Sequence, residues 1–264
     1  MKITHLLTLA AFAVALPLGA QVVINDTFID TYVPGVFASP ESDTTGVTSF
    51  SIPLSDLTTA GFAASGSDKL VLAISTKWQS VFGGVATSIT YNTTQSFVEA
   101  VGQKASRAQT QIFYLDDVTS DGNIDITFDS ITEGFAIRLF ALDGTAAGVT
   151  DTGAKLQTSD GVLPTLTSPA GAFVFWDASL HRRSATIDDG DFTASQLSFG
   201  GRGNSNAFWN VEATGGTFNG TISDDRTDGA FVGATFAAVP EPSAFALLAG
   251  MFGLTWVMLR RRES

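Results

Sequence analysis

No cysteine occurs among the 264 residues. That excludes disulfide staples, thiol nucleophiles and cysteine-ligated zinc, so a folded domain here must be held by core burial alone. Histidine is almost as scarce: His5 lies in an N-terminal apolar stretch, which leaves His181. A serine–histidine–acid triad needs an imidazole oriented by a carboxylate beside an exposed nucleophile. Asp177 and Asp188 are near His181 in sequence, but Gly203-Asn204-Ser205-Asn206-Ala207 matches the Gly-x-Ser-x-Gly elbow only in part. Glutamate is sparse too. Between the two chain ends it is confined to Glu41, Glu99, Glu133 and Glu212, with no Glu-x-Asp-x-x-Glu pattern to set two carboxylates on one strand face. Glycoside hydrolysis requires such a facing pair. No catalytic residue set emerges, and the chain is read as a non-enzyme. Basic residues are also few. Setting aside Lys2, Glu241, Glu263 and the three terminal arginines leaves 10 basic against 24 acidic residues, a net of −14. A surface of that sign repels nucleic acid, which is excluded as a partner.

Long amphipathic helices are missing as well, and short alternating runs take their place. In "NIDITFD", Ile124, Ile126 and Phe128 alternate with Asp125, Thr127 and Asp129, the period of a half-buried strand. "GFAIRLFALDG" sets Phe135, Ile137, Leu139 and Ala141 on one face and adds Phe140 and Leu142 on the other. Runs such as "KLVLAIST", "TQIFYLDD", "GAFVFWDAS", "NAFWNV" and "GAFVGATFAAV" are punctuated by Asp-Gly and Asn-rich turns. Residues 98–108 are the best helical stretch, and 146–169 is the expected long loop or seam. The pattern predicts an all-β fold, a β-sandwich of jelly-roll type over residues 21–238. Residues 68–145 resemble secreted bacterial sandwich modules.

Three groups of side chains are candidates for binding. Asp121, Asn123 and Asp125 open with the spacing of a calcium loop, but Ile126 replaces its glycine and Thr132 its final glutamate. As turn residues they need no ion; a structural Ca²⁺ is the alternative, and no other cofactor is expected. Flat rings stack on sugars, and Trp78, between Lys77 and Gln79, is the expected exposed contact; Trp176 in "FVFW" reads as core, and Trp209, Tyr32, Tyr91 and Tyr114 are further ring candidates. Asn25, Asn92 and Asn219 head Asn-x-Thr sequons, read by default as polar loop positions.

The two ends are the most informative segments. Lys2, an apolar run over residues 6–16 and the small-residue exit before Gln21 make residues 1–20 a secretory signal peptide, exported by the Sec machinery. At the other end, residues 244–259 carry no charge. As a helix these 16 residues measure about 24 Å at ~1.5 Å each, against a hydrocarbon core of ~30 Å. They make a short single transmembrane helix, and Arg260, Arg261 and Arg262 hold its end on the cytoplasmic side of the inner membrane. Pro240 and Pro242 stiffen the segment before it into an extended strand fit for a protease cleft.

Val239-Pro240-Glu241-Pro242-Ser243, an apolar span and a terminal arginine cluster together resemble the PEP-CTERM sorting signal, over residues 239–264. The resemblance implies recognition by exosortase, a membrane-embedded cysteine protease-like enzyme, through Pro240, Glu241 and Pro242. Arg260, Arg261 and Arg262 serve as the membrane-retention cluster. Cleavage then delivers the protein to the cell surface or extracellular matrix, in company with exopolysaccharide. The expected function is a non-enzymatic envelope or matrix protein; the alternatives are a lectin-like carbohydrate-binding module and, behind it, a surface glycoside hydrolase.

Overall fold

Period-two alternation builds the outermost layer. Along β8 (Ile124–Thr132), Ile124, Ile126 and Phe128 are buried while Thr127 and Asp129 are exposed. This strand sits in a four-stranded antiparallel sheet in the order β2 (Val47–Ile52), β8, β4 (Ala86–Tyr91), β5 (Gln95–Ser96). The computed structural model describes residues 20–32, 47–77, 84–105, 108–132, 134–156, 161–181, 192–198, 203–222, 229–239 and Phe252. Among these the chain is mostly strand, paired antiparallel throughout, with one short helix of six residues, α1 (Leu54–Thr59).

Continuous apolar runs build the layer behind. A five-stranded sheet runs in the order β1 (Val23–Tyr32), β9 (Phe135–Asp143), β3 (Lys69–Lys77), β7 (Ala108–Asp116), β6 (Val98–Lys104). All but the last residue of β9 are buried, because both faces of this sheet are covered. Leu70, Leu72, Ile74, Ile137 and Leu139 pack toward the four-stranded sheet, with Leu57 of α1. Val71, Ala73, Phe140 and Leu142 pack the opposite way, onto Phe173, Phe175, Trp209, Val232 and Phe236.

Those last residues belong to a second five-stranded sheet, in the order β10 (Asp151–Leu156), β16 (Ala230–Phe236), β12 (Ala172–His181), β14 (Gly203–Glu212), β13 (Thr193–Ser198). Its far face carries a third apolar cluster around Trp176, Phe208 and Phe231. A ribbon of β11 (Leu166–Ser168) and β15 (Gly216–Phe218) contributes Leu166 and Phe218 to that cluster. A two-sheet sandwich has one core between its sheets; here the layers enclose three.

Two expectations from local pattern are corrected. Residues 98–104 form edge strand β6 on β7, not a helical turn. Glu, Ala, Gln and Lys favour helix in isolation, but an edge strand tolerates them because one side faces water, and pairing decides. Within 146–169 lie β10 and β11, so the stretch is no simple loop. The idea of a seam survives in another form: the two sheets on one side use residues up to Asp143, the remaining strands those from Asp151 onward.

The helix shows how a side chain far along the sequence closes a local structure. Its first position follows Pro53, which supplies no capping side chain. Asn123 accepts from the Leu54 N–H at 2.8 Å instead, across 69 residues. Replacing it, Asn123→Ala, is expected to cost about 1 kcal/mol, the ordinary worth of an N-cap, read as a small drop in the denaturant midpoint.

Candidate functional site

The expected sorting motif follows, in sequence, the last body residues that the structure describes. Beyond β16, the Ala146 N–H donates to Ala237 O, Thr145 bridges Ala238, and the Val239 N–H donates to Gly144 O at 2.8 Å. Val239 is the last residue so held among those described, and it is half exposed. Pro240, Glu241 and Pro242 follow it directly in sequence, and they lie outside the described residues, as do Arg260, Arg261 and Arg262.

The beginning of the expected mature chain is at the same end. The Val22 N–H donates to Gly171 O, and Val22 is buried in the inter-sheet core. A Cβ on Gly171 would fall 1.9 Å from Ala20 O, so glycine is required there both by its φ of +79° and by that approach. Gln21 O lies against Gly144, the residue whose carbonyl accepts from Val239. Residues 1–19 of the expected signal peptide, residues 1–20, lie outside the described residues, and no helix among the described residues is long and apolar enough to cross a membrane.

Among the described residues, a concentrated polar network is buried between the two five-stranded sheets. Arg138 projects from β9 and Asp177 from β12, and neither is exposed to solvent. Arg138 Nη1 donates to Asp177 Oδ1 at 2.8 Å and to Ser205 Oγ at 2.5 Å, while Nη2 donates to the carbonyls of Ser195 and Ser205. Ser205 Oγ donates to Oδ1 of Asp177, and Ser75 Oγ and Thr110 Oγ1 each donate to Oδ2 at 2.5 Å. Burial pushes the Arg138 guanidinium pKa down and the Asp177 charge opposes that shift. Such a network ties together six strands, β3, β7 and β9 of one sheet and β12, β13 and β14 of the other.

That network changes the reading of several sequence candidates. Asp177, a conceivable partner for His181, is saturated by Arg138 and three hydroxyls. Ser205, the centre of the partial elbow motif, is a buried strand residue. The His181 and Asp188 side chains lie outside the described residues. Glu99 accepts from Gln111 and Glu212 from Asn210, on different sheets, while Glu41 and Glu133 lie outside the described residues. A charged residue inside an otherwise apolar run, as in Ile137-Arg138-Leu139 or Trp176-Asp177-Ala178, was the available signal for this pair.

The binding candidates disperse. Asp121 Oδ1 accepts from the Ala64 and Ser65 N–H groups, each at 2.8 Å, and Asn123 is the helix cap; Asp125 lies along β8. Among the described residues, no three His, Cys, Asp or Glu side chains converge on a common point. Trp176 is core, its Nε1 donating to Pro164 O, and Trp209 and Tyr91 are buried; Trp78 and the Tyr32 side chain lie outside the described residues. Asn25 occupies a bulge in β1, Asn92 has φ +51° and donates to Ser120, and Asn219 is exposed in a loop.

Tyr91 supplies a pH signature. Burial, then the charge of Asp121, raises its phenol from 10.0 to about 12. A raised folded-state value means the unfolded chain ionises first. The stabilisation is therefore complete below pH 10 and is lost as pH rises toward about 12. Measured against Tyr91→Phe, the wild type is expected to lose stability over that window.

Comparison with protein-family models, with curated proteins and with solved structures finds no match for this chain.

Proposed function

We propose that this chain is an exported, non-enzymatic envelope or extracellular-matrix protein, sorted and processed through its C-terminal tail. The observation that carries the reading is the tripartite end: Pro240, Glu241 and Pro242, an uncharged stretch of barely membrane length, and three arginines. The signal peptide delivers the body outward, the arginines hold the tail inside, and exosortase cuts at the proline-stiffened segment. Release places the body, a stack of antiparallel β-sheets, at the surface among exopolysaccharide.

The build of the body supports a durable passenger. Two of its few cations, Lys69 and Arg138, are buried in ion pairs, so the surface is acidic and hydrated. The body holds Val239 against Gly144, and the proposed processing motif begins one residue later in the sequence. Changing both prolines, Pro240→Ala with Pro242→Ala, tests the reading by cell fractionation. The variant is expected to stay in the inner membrane with its arginines while the wild type reaches the surface or medium. Identical distribution of the two would contradict it.

A further inference from the structure

The second buried ion pair is built differently from the first. Lys69 opens β3 and lies directly opposite Asp116, the last residue of β7. The lysine side chain is fully buried; that of Asp116 is 28% exposed. Lys69 Nζ contacts Asp116 Oδ1 and donates to Gly148 O at 3.0 Å. It also sits 4.9 Å from the centre of the Tyr114 ring and 5.5 Å from that of Phe236. The Gly148 N–H donates to Asp116 Oδ2 at 2.9 Å. One residue thus turns its N–H onto the carboxylate and its carbonyl onto the amine. Its φ of +75° lies in the region that glycine enters without a steric cost.

The pocket keeps the amine out of water, enclosed by one carboxylate, one carbonyl and two aromatic rings. Burial is the largest influence on Lys69 and lowers its pKa, against Asp116 and the more distant charges of Asp117 and Asp68. That draws the amine toward its neutral, nucleophilic form.

We propose that Lys69 and Asp116 join in an intramolecular isopeptide bond, a covalent link between β3 and β7 in a chain that has no cysteine. A proton passes from Nζ to Oδ1, leaving amine and acid both neutral. The Nζ lone pair adds to Asp116 Cγ, and the negative charge that develops on Oδ2 faces the Gly148 N–H. The Cγ–Oδ1 bond then breaks. Oδ1 leaves as water, carrying the first proton and a second one from the nitrogen. One ammonium and one carboxylate become one neutral amide and one water, with no oxidant, reductant or cofactor.

In open water this condensation is unfavourable. Groups held in contact reach effective concentrations on the order of 10⁵–10⁸ M, which reverses the balance. The partial exposure of Asp116 gives the water a way out. The link lies at the same end of the body as Val239: Asp68, next to Lys69, accepts from the Gly144 N–H, and Gly144 holds Val239.

Peptide mapping of the full chain, purified from cells that export it, denatured and digested with trypsin, tests the bond and does not depend on whether the tail is cut. A branched peptide joining Lys69 to Asp116, one water lighter than its two arms, is expected, with no cleavage after Lys69. Lys69→Arg and Asp116→Ala should each return linear peptides of full mass. Asp-Gly pairs such as Asp121-Gly122 can also lose water by closing on themselves, but on a linear peptide that leaves Lys69 cleavable. Recovery from the wild type of a peptide ending in Lys69 and a separate linear one containing Asp116, with no branched form, would overturn the proposal whatever the variants do.

Discussion

Asp177→Ala is expected to destabilise the folded body by about 3–5 kcal/mol, the cost of leaving a buried charge without its partner. The guanidinium of Arg138 would keep Ser205 and the two carbonyls but lose its counter-charge, and Ser75 and Thr110 would lose their common acceptor. Arginine cannot escape by deprotonating, since its pKa starts so high that burial alone does not neutralise it. Asp177→Asn keeps the shape and still removes the charge, so it too should be costly. The double variant Arg138→Met with Asp177→Leu removes both charges and should recover most of the loss, because a buried pair is seldom more stable than well-packed apolar groups. Urea unfolding of the purified proteins separates these outcomes. A single variant within about 0.5 kcal/mol of wild type would mean the pair is solvated rather than buried, since only surface changes are that mild.

Phe140→Ala should cost a similar amount, about 3–5 kcal/mol, by a different mechanism. The ring is fully buried on the face of β9 toward the second five-stranded sheet. Its centroid lies 5.2 Å from that of Phe173 and 5.1 Å from those of Phe175 and Trp209. Truncation removes three edge or tilted aromatic contacts and leaves a cavity between two sheets that cannot easily close. Val98→Ala is the matched control. Val98 is 51% exposed on edge strand β6, and its loss should register below about 0.5 kcal/mol. Equal effects at the two positions would contradict the packing of the central sheet against its neighbour.

The strands of one-sided sheets were legible because water and core alternate along them. "NIDITFD" could be read residue by residue, and Ile124, Ile126 and Phe128 are indeed inside. "GFAIRLFALDG" was legible as doubly buried, but its arginine was not, since the carboxylate that explains Arg138 is 39 residues away. The same holds for Lys69 and Asp116, whose meeting depends on the β3–β7 register across 47 residues. Local composition misled at 98–104, where an exposed edge strand carries helix-favouring residues. Turn chemistry read well in kind and poorly in detail. Asp121 and Asn123 do hold backbone N–H groups, but those of residues 54, 64 and 65 rather than of their own turn. The expectations for the two chain ends rest on linear patterns alone and call on no part of the fold.

The account stands on those terminal signals, and the most direct measurement is the C-terminal residue of the protein recovered from the cell surface or medium. Mass spectrometry of its C-terminal peptide should find a chain that stops within or next to Pro240, Glu241 and Pro242, with residues 244–264 gone. A surface or secreted form that still ends in Arg260-Arg261-Arg262-Glu263-Ser264 would contradict it.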